Sequence, residues 1–451
     1  MKNNNKHIKY FLGIGGIGMS ALARYYNQLG FTIYGYDLTS TELTRQLENE
    51  GMIIHYQEDV SKIPYDVEEV IYTPAIPDSN LEIVYFKKHN FPLLKRAEVL
   101  GRISENIFTI AVAGSHGKTT VTSMITHLLE NAGKRVLAFI GGISKDLNNN
   151  FLYSENPEFM VVEADEYDRS LLKLSPDIVI ITSMDKDHLD IYNDLKDLED
   201  TFISFASKLK NKGTLIYQNQ LKVMESVPVK KVSYGICQEA DISAANIKVD
   251  KGKFIFEVIA GMFSSFSLSL SLPGKHNVEN CLAAIALGFQ LDIPQLSIKK
   301  SIESYKGVER RFDIRISNSD TIFIDDYAHH PKEIESTLDS VKMFFPGKKI
   351  TVAFQPHLYS RTRDFANEFA AALDKADEII LLDIYPAREL PIKGVTSKII
   401  FEKIKSRDKY ILSKDELLKH LKKYKPEVFL TMGAGDINKL VPVIEKILIK
   451  E

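Results

Sequence analysis

The sequence predicts an α/β protein made of three successive domains. Two glycine-bearing turns, each between an apolar strand and a helical pattern, indicate two units that bind phosphate groups. A third series of alternating strands and helices follows them. A chain of 451 residues is also too long for one hydrophobic core. We place the domains at residues 1–106, 107–311 and 312–451.

Composition narrows the class of protein. The chain is 44% hydrophobic and 26% charged, which is typical of a soluble globular protein. The net charge of −3 gives no reason to expect a nucleic-acid partner. Two cysteines, Cys237 and Cys281, do not make a disulfide framework. The chain shows no signal-peptide pattern and no apolar run that could span a bilayer, so we expect a cytoplasmic protein.

The first glycine turn lies near the start of the chain. Gly13, Gly15 and Gly18 satisfy the G-x-G-x-x-G pattern after an apolar strand, and a helical pattern follows. Asp37 ends the next strand, where an acid can bind a ribose hydroxyl. This βαβ pattern indicates a diphosphate at a helix N-terminus, so NAD and a UDP moiety fit equally well. A tight packing turn without a ligand is the alternative.

The second glycine turn is Gly114-Ser-His-Gly-Lys-Thr-Thr120, between a buried strand and a helix. It predicts a phosphate cradle in which Lys118 reaches the terminal phosphates and Thr119 binds Mg²⁺. The loop is shorter than the usual P-loop, because Val112 stands five residues before Gly117. An ordinary strand-to-helix turn is the alternative interpretation.

Two strands after this loop end in polar residues. The strand 159–163 ends in a run of acids that begins with Glu163, and His188 follows the strand 177–183. Ligands of parallel sheets lie beyond the carboxyl ends of the strands, so Glu163 and His188 are candidate Mg²⁺ ligands. The alternatives are a solvated strand end for the acids and a capping or core residue for His188.

Residues 214–270 contain short strand-like pieces that predict a small antiparallel elaboration of the second domain. Gly274 then precedes an alanine-rich helix, near whose start lie His276, Asn277 and Asn280. The two asparagines are i,i+3 neighbours, so their amides could meet one purine edge. Helix capping by Asn277 is the alternative.

The third domain is predicted to be Rossmann-like. Four strands, at 321–326, 349–354, 378–383 and 427–432, have helical stretches between them and polar residues at their ends. The basic segment 305–312 precedes them.

Together these motifs make the chain resemble the Mur ligases along its whole length. The motifs that carry the resemblance are Gly114-Ser-His-Gly-Lys-Thr-Thr120, Glu163-Ala-Asp-Glu166, Gly274-Lys-His-Asn277 with Asn280, Arg310-Arg-Phe312, Asp326-Tyr-Ala-His-His-Pro331, Gln355-Pro-His357 and Gly433-Ala-Gly-Asp436. The resemblance implies a UDP-binding first domain, a P-loop ATPase-like second domain and a Rossmann-like third domain. It also implies ligation of L-alanine to the carboxylate of UDP-N-acetylmuramate in peptidoglycan synthesis, with ATP, two Mg²⁺ ions and an acyl phosphate that the amine attacks.

The resemblance assigns roles to matching positions. Residues implied to bind the UDP-sugar are Gly13, Gly15, Gly16, Ile17, Gly18 and Asp37. Residues implied to bind ATP are Gly114, Ser115, His116, Gly117, Lys118, Thr119, Thr120, His276, Asn277, Asn280, Arg311 and Asp326. Implied metal ligands are Thr119, Glu163 and His188. Residues implied around the amino acid are Tyr327, His329 and Arg361. The implied catalytic residues are Lys118, His188, His329 and Arg361.

The sequence also departs from the family. Leu358 stands where relatives often have arginine, so one candidate ligand for the carboxylate of the amino acid is absent. Thr73-Pro-Ala-Ile76 stands where relatives often have Ser-Ser-Ala-Ile, so contacts to the uracil base are not transferred. A ligase of murein recycling that attaches a ready-made tripeptide shares the same motifs. A nicotinamide-dependent dehydrogenase and a non-enzymatic nucleotide-binding regulator are two further interpretations. A monomer and a homodimer are equally compatible with the sequence.

Overall fold

The fold is described from a computed structural model. It covers residues 7–449 except 186–191, 193, 237–238, 251, 262 and 388. The chain divides into two compact units. The first comprises Met1–Ala245, Glu257–Phe266 and Glu279–Tyr305, and the second comprises Asn246–Phe256, Ser267–Val278 and Lys306–Glu451.

A five-stranded sheet forms the N-terminal part of the first unit. Its elements are β1 (Ile8–Leu12), α1 (Ile17–Gln28), β2 (Thr32–Tyr36), α2 (Glu42–Asn49), β3 (Ile53–His55), a 3₁₀ turn (Val60–Lys62), β4 (Val67–Tyr72), α3 (Leu81–Lys88), β5 (Leu93–Lys95) and α4 (Arg96–Asn106). The strands lie in the order β3-β2-β1-β4-β5, and all pairs are parallel. Every residue of β1 is buried, as expected for the central strand of a covered parallel sheet.

The second sheet has ten strands. Its region contains β6 (Phe108–Ala113), α5 (Lys118–Asn131), β7 (Val136–Ser144), β8 (Asn149–Tyr153), β9 (Phe159–Glu163), a 3₁₀ segment (Tyr167–Lys173), β10 (Ile178–Ile181), α6 (Leu195–Ala206), β11 (Thr214–Gln218), a 3₁₀ segment (Lys222–Ser226), β12 (Lys230–Gly235), β13 (Ile242–Asp250), β14 (Lys253–Ala260), β15 (Phe263–Leu270), α7 (Lys275–Gln290) and α8 (Gln295–Ser304). The order is β15-β14-β13-β12-β11-β10-β6-β9-β7-β8. The strand-like pieces expected within 214–270 thus continue the central sheet.

Strand β6 is the strand that presents the second glycine turn. It lies between β9 and β10 and is parallel to both. Because parallel strands bring their carboxyl ends to one edge, the residues after β6, β9 and β10 meet there. This edge is where the sequence predicted the phosphate site.

The third sheet lies in the second unit. Its elements are β16 (Asp313–Ser317), β17 (Ile322–Asp326), α9 (Pro331–Phe344), β18 (Ile350–Phe354), α10 (Tyr359–Asp364), α11 (Ala366–Leu373), β19 (Glu378–Leu381), α12 (Lys398–Phe401), β20 (Lys409–Ile411), α13 (Lys414–Lys423), β21 (Val428–Met432), a 3₁₀ segment (Asp436–Leu440) and α14 (Val441–Ile449). The order is β16-β17-β21-β18-β19-β20, with β16 antiparallel to β17.

The sequence predicted four of these six strands. The two it missed, β16 and β20, stand at the two edges of the sheet, and both strands are only partly apolar. Among the described residues, no helix is long and apolar enough to cross a bilayer.

Candidate active site

The second glycine turn is a tight loop between β6 and α5. Gly114 and Gly117 have φ angles of +133° and +83°, in the left-handed region that favours glycine. A Cβ atom on Gly114 would stand 2.2 Å from Oγ1 of Thr182. A Cβ atom on Gly117 would stand 2.5 Å from Oδ1 of Asn280. Both positions therefore require glycine for conformation and for space.

The loop is fastened to the segment that follows β10. The backbone N–H of Ser115 donates to the carbonyl of Ser183 at 3.1 Å, and that of His116 donates to the Ser183 hydroxyl at 2.8 Å. The Ser115 hydroxyl donates to the carbonyl of Asp185 at 3.0 Å. The N–H groups of Ser115 and His116 therefore already have hydrogen-bond acceptors within the protein. The N–H groups of the first turn of α5 have no intrahelical acceptor and carry a partial positive charge.

Lys118 is the first residue of α5, and its ammonium group is held between backbone and acid. Its Nζ donates to the carbonyl of Gly114 at 2.6 Å and to Oε1 of Glu166 at 2.8 Å. Burial alone would lower the pKa of Lys118, but the charges of Glu166, Glu163 and Asp165 raise it above its ordinary value. Lys118 is therefore a fixed cation beside the helix N-terminus.

Thr119 and Glu163 meet beside this cation, as the sequence predicted. The Thr119 hydroxyl donates to the Glu163 carboxylate at 2.9 and 3.1 Å. The backbone N–H of Gly141, in β7, donates to the same carboxylate at 3.0 Å. A hydroxyl and a carboxylate beside a phosphate cradle are the oxygen ligands that Mg²⁺ prefers. No group of three or more His, Cys, Asp or Glu side chains suited to a metal ion occurs in the part of the chain that the structure describes.

The first glycine turn is hydrogen-bonded to Asp37, the acid that directly follows β2. The backbone N–H of Gly15 donates to Oδ2 of Asp37 at 2.8 Å, and that of Thr39 donates to Oδ1 at 3.2 Å. Gly13 has a φ of +81° and donates to the carbonyl of Tyr36 at 2.8 Å. The predicted neighbourhood of Asp37 and the glycines is therefore present, and the carboxylate stabilises the turn.

Helix α1 begins directly after that turn, and Arg96 lies over its start. Gly16 occupies the N-cap position without a side-chain cap, and Ile17 is the first helical residue. A Cβ atom on Gly18 would stand 2.1 Å from Nη1 of Arg96. The Nη2 atom of Arg96 donates to Oδ2 of Asp165 at 3.3 Å. Arg96 thus joins the first glycine turn to the acidic end of β9, a link that the sequence did not reveal.

The residues around the start of α7 have separate surroundings. Asn280 is buried, with its side-chain oxygen against Gly117. The side-chain amide of Asn277 donates to the carbonyl of Pro273, which lies just before α7, at 2.7 Å. His276 hydrogen-bonds through Nδ1 to the hydroxyl of Ser336 at 2.9 Å. The adenine-binding role of these three residues stays a prediction.

Asp326 lies buried at the carboxyl end of β17. Its Oδ1 accepts a hydrogen bond from the N–H of Ala328 at 2.7 Å, and its Oδ2 accepts one from the N–H of Phe312 at 2.9 Å. Burial raises the pKa of Asp326 to about 6, against the lowering effect of these hydrogen bonds and of Arg311. Through these hydrogen bonds, the side chain of Asp326 links the backbone just before β16 to the loop just after β17.

Two of the three residues predicted around the amino acid, Tyr327 and His329, lie together after β17. The ring of Tyr327 lies 4.9 Å from the guanidinium of Arg311, and its centroid is 5.2 Å from that of His329. His329 Nδ1 lies 3.0 Å from the carbonyl of Tyr327. Arg361 stands in α10, which follows Leu358, a non-glycine residue with a φ of +69°. His188 lies outside the described residues.

Three family models match the chain in succession. The model described as "Mur ligase family, catalytic domain" matches residues 9–107, and the "Mur ligase middle domain" matches residues 112–288. The "Mur ligase, glutamate ligase domain" matches residues 310–435. The chain belongs to the Mur ligase family. The prediction of three α/β domains of this family is thereby confirmed.

Individual Mur ligases match the chain along its length. A UDP-N-acetylmuramate–L-alanine ligase of Christiangramia forsetii is 44% identical, with 100% of each chain covered. One of Flavobacterium psychrophilum is 45% identical, with 99% of each covered. Among solved structures, the UDP-N-acetylmuramate–alanine ligase of Thermotoga maritima has a TM-score of 0.83 at 30% identity, with 98% of each chain covered. A murein peptide ligase of Psychrobacter arcticus, at 22% identity and a TM-score of 0.73, shares the fold.

Two features of this Mur ligase chain were missed at the sequence level. Glu166 is the acidic partner of Lys118. In the sequence it was marked only as the last acid of the Glu163-Ala-Asp-Glu166 run, and no role was assigned to it. Arg96 was an unmarked basic residue of the predicted first domain. In both cases the missing information was which side chain a fold brings to a distant turn.

Proposed function

We propose that this chain forms an amide bond between L-alanine and the carboxylate of UDP-N-acetylmuramate, with ATP as the phosphoryl donor. Support for alanine comes from relatives of that name that are 44% and 45% identical along essentially the whole chain. Support for the phosphoryl chemistry comes from one observation, the Lys118 cation held at the start of α5 beside Thr119 and Glu163.

The chemistry requires an activated carboxylate. An amine does not displace oxide from a carboxylate, so the γ-phosphoryl group is first transferred to the muramate carboxylate. The amine of alanine then attacks the acyl phosphate, and the tetrahedral intermediate expels phosphate. Lys118 and the N–H groups of the first turn of α5 would bind the transferring phosphoryl group and stabilise the negative charge that moves there. Glu166 keeps the ammonium group of Lys118 in place and charged.

Mg²⁺ fits the donor set that Thr119 and Glu163 form. When bound, Mg²⁺ neutralises charge on the phosphate oxygens of the nucleotide. Glu163 is oriented by Thr119 and by the N–H of Gly141, so its carboxylate is already fixed before a ligand arrives. We propose His188 as the ligand of a second Mg²⁺, on the resemblance alone.

The UDP-sugar is proposed to bind at the first glycine turn. There the start of α1 offers N–H groups without a side-chain cap, which suits a diphosphate. Asp37 is placed beside the turn through Gly15. We further propose the domain boundaries 1–106, 107–311 and 312–451, and a cytoplasmic reaction, since both ATP and the nucleotide sugar are substrates.

The residues of the third sheet complete the proposal. Arg311 and Asp326 are proposed to contact ATP, and Tyr327, His329 and Arg361 to surround alanine. The cluster of Arg311, Tyr327 and His329 supports this assignment, because it gathers cationic and aromatic groups at the carboxyl edge of the sheet.

The test is phosphate release from ATP with UDP-N-acetylmuramate and one amine at a time: L-alanine, glycine, L-serine or the murein tripeptide. We expect release that depends on L-alanine, with glycine and serine reduced by about ten- to two-hundredfold in kcat/KM if the pocket reads the methyl group. Release that depends on the tripeptide would assign the chain to murein recycling. Release without any amine would contradict the ligase proposal.

A further inference from the structure

A cavity opens at the amino-terminal edge of the third sheet. Its volume is about 720 Å³, within the range of pockets that hold small molecules. It is lined by residues at or just before the starts of β18, β19, β20 and β21, among them Thr351, Glu378, Tyr410 and Glu427. Tyr327 and His329 follow the carboxyl end of β17, at the opposite edge. Five residues of strand span roughly 16 Å, so the cavity is separate from that predicted amino-acid group.

One wall of the cavity is aromatic. The ring centroid of His420 lies 5.5 Å from that of Tyr410 and 5.2 Å from that of Tyr424. Tyr410 is 40% exposed and Tyr424 is 65% exposed, although both are large rings. His420 is held by a contact of 3.1 Å between its Nε2 and Oε1 of Glu378. The three rings thus form a row, tilted by 48° and 39° to one another, with an exposed tyrosine at each end.

The acids of the cavity already have partners. Glu378 accepts a hydrogen bond from the Thr351 hydroxyl at 2.8 Å, in addition to its contact with His420. Asp408 pairs with the ammonium group of Lys349 at 3.6 Å. Glu427, for its part, accepts the backbone N–H of Lys349 at 2.7 Å. Each of these carboxylates therefore already has a hydrogen-bond or ion-pair partner within the protein.

One lysine that lines the cavity, Lys423, takes no part in these contacts. Lys423, the last residue of α13, is exposed at the rim and forms no ion pair among the residues that the structure describes. It stands next to Tyr424 in a basic run, Lys422-Lys-Tyr-Lys425. A lysine at a helix C-terminus is favourable on its own, because it offsets the helix dipole. The combination with an exposed ring row over a cavity is what indicates a ligand.

We propose that this cavity binds a small anion that carries a planar ring, with the ring on the Tyr410–His420–Tyr424 row and the anionic group at Lys423. Ring stacking on tyrosine and a charge-assisted hydrogen bond from lysine are the two contacts that such a ligand makes. A polyanion such as RNA fits less well, since Glu378, Asp408 and Glu427 line the walls. The site lies outside the ligation chemistry and does not rest on it.

The chain contains no tryptophan, which permits a local reporter. Tyr424→Trp places a single indole in the cavity, to be excited selectively while uridine 5′-monophosphate, uridine or inorganic phosphate is titrated. We expect saturable quenching by the monophosphate with half-saturation below about 1 mM. Uridine without phosphate, and phosphate without the ring, should each bind at least about tenfold more weakly.

Two matched variants control the titration. Tyr65→Trp puts the indole at a tyrosine that is 99% exposed in the first unit, and it should show no saturable quenching. In the Tyr424→Trp background, Lys423→Glu should weaken binding at least about tenfold, whereas Lys446→Glu, at an exposed position of α14, should not. Both charge variants should keep the melting temperature and the ATP turnover of the parent.

The proposal would be overturned if the Tyr424→Trp variant showed no saturable quenching, or if the Tyr65→Trp variant responded to the monophosphate as strongly as the Tyr424→Trp variant. It would also be overturned if Lys423→Glu left the affinity for the monophosphate unchanged, or if uridine bound as tightly as the monophosphate. Much tighter binding of a polyuridylate than of the monophosphate would assign the surface to nucleic acid instead. Because the reporter reads the cavity directly, the outcome is independent of whether alanine is the substrate of the ligase reaction.

Discussion

The two glycine turns have the same backbone plan and different chemistry. Each follows a buried strand of a parallel sheet and leads into a helix, β1 into α1 and β6 into α5. In the first turn the backbone is held by Asp37, which accepts the N–H of Gly15. In the second, Lys118 opens the helix and lies against Glu166, with Glu163 beside Thr119.

This difference separates binding from reaction. A helix N-terminus that opens without a lysine offers its N–H groups to a diphosphate, which is sufficient for binding. A cation fixed by a buried acid, next to oxygen ligands for Mg²⁺, stabilises charge that develops in a transition state. We infer that the first turn holds a substrate and the second turn carries the phosphoryl transfer. The predictions below test this division.

The largest effect is expected for Lys118→Ala. Removing the cation should lower ATP-dependent phosphate release by about a thousandfold or more, since charge stabilisation at the phosphoryl group is lost. UDP-sugar affinity, measured by calorimetry, should change less than about twofold, because the first turn is intact.

The same substitution leaves Glu166 buried without its cation, which costs about 3–5 kcal/mol of stability. The double variant Lys118→Ala/Glu166→Gln is the control, and it should recover stability in urea unfolding without recovering turnover. A parallel collapse of UDP-sugar binding in this stable double variant would contradict the division between the turns.

A smaller effect is expected for Glu163→Gln. The amide keeps the shape of the side chain but loses the charge that suits Mg²⁺, so half-saturation by Mg²⁺ should rise about tenfold or more. Glu158→Gln, at an exposed acid just before β9, is the matched control and should leave the Mg²⁺ titration unchanged. An unaltered Mg²⁺ requirement in Glu163→Gln would remove Glu163 from the metal site.

Gly117→Ala tests the shape of the second turn. The added Cβ would lie 2.5 Å from Oδ1 of Asn280, at a φ of +83°. We expect the KM for ATP to rise about tenfold, because a residue other than glycine at this φ costs about 1–3 kcal/mol of backbone strain. Asn280→Ala removes the contact but does not serve as a rescue, because Asn280 is itself predicted to contact adenine. An unchanged KM for ATP in Gly117→Ala would contradict the assignment of this turn to the nucleotide.

Gly15→Ala applies the corresponding test to the first turn and is expected to have the smallest effect. The new Cβ would lie 2.7 Å from Cγ2 of Thr44 and 2.8 Å from Oδ2 of Asp37, but Gly15, unlike Gly117, does not have a positive φ. The KM for UDP-N-acetylmuramate should rise about three- to tenfold, and the KM for ATP should stay within about twofold. A rise in the KM for ATP alone would reverse the assignment of the two turns.

The backbone of both turns was predictable because glycine spacing and strand–helix order are local signals. Asp37 beside Gly15, and Thr119 beside Glu163, followed from the rule that parallel strands gather their carboxyl ends. Arg96 was not predictable, because its place over Gly18 depends on how α4 packs against α1. The contact between Glu166 and Lys118 also depends on the folded chain. The sequence therefore indicated a role for Glu163 but not for Glu166, although the two lie on one short segment.

The cavity at the opposite edge of the third sheet was also invisible in the sequence. Its ring row joins Tyr410 of β20 with His420 of α13 and with Tyr424, and only the folded chain brings strand and helix together. Edge strands such as β20 are short, with a weak period-two pattern, so the sequence did not mark this strand.

The most direct test of the ligase account follows oxygen from substrate to phosphate. UDP-N-acetylmuramate labelled with ¹⁸O in its carboxylate is incubated with ATP, Mg²⁺ and L-alanine, and the released phosphate is weighed by mass spectrometry. The account predicts one ¹⁸O atom in each phosphate, together with an alanyl product, because the carboxylate oxygen leaves with the phosphoryl group. Unlabelled phosphate formed alongside the alanyl product would contradict the acyl-phosphate route, and labelled phosphate formed only with the tripeptide would contradict alanine as the substrate.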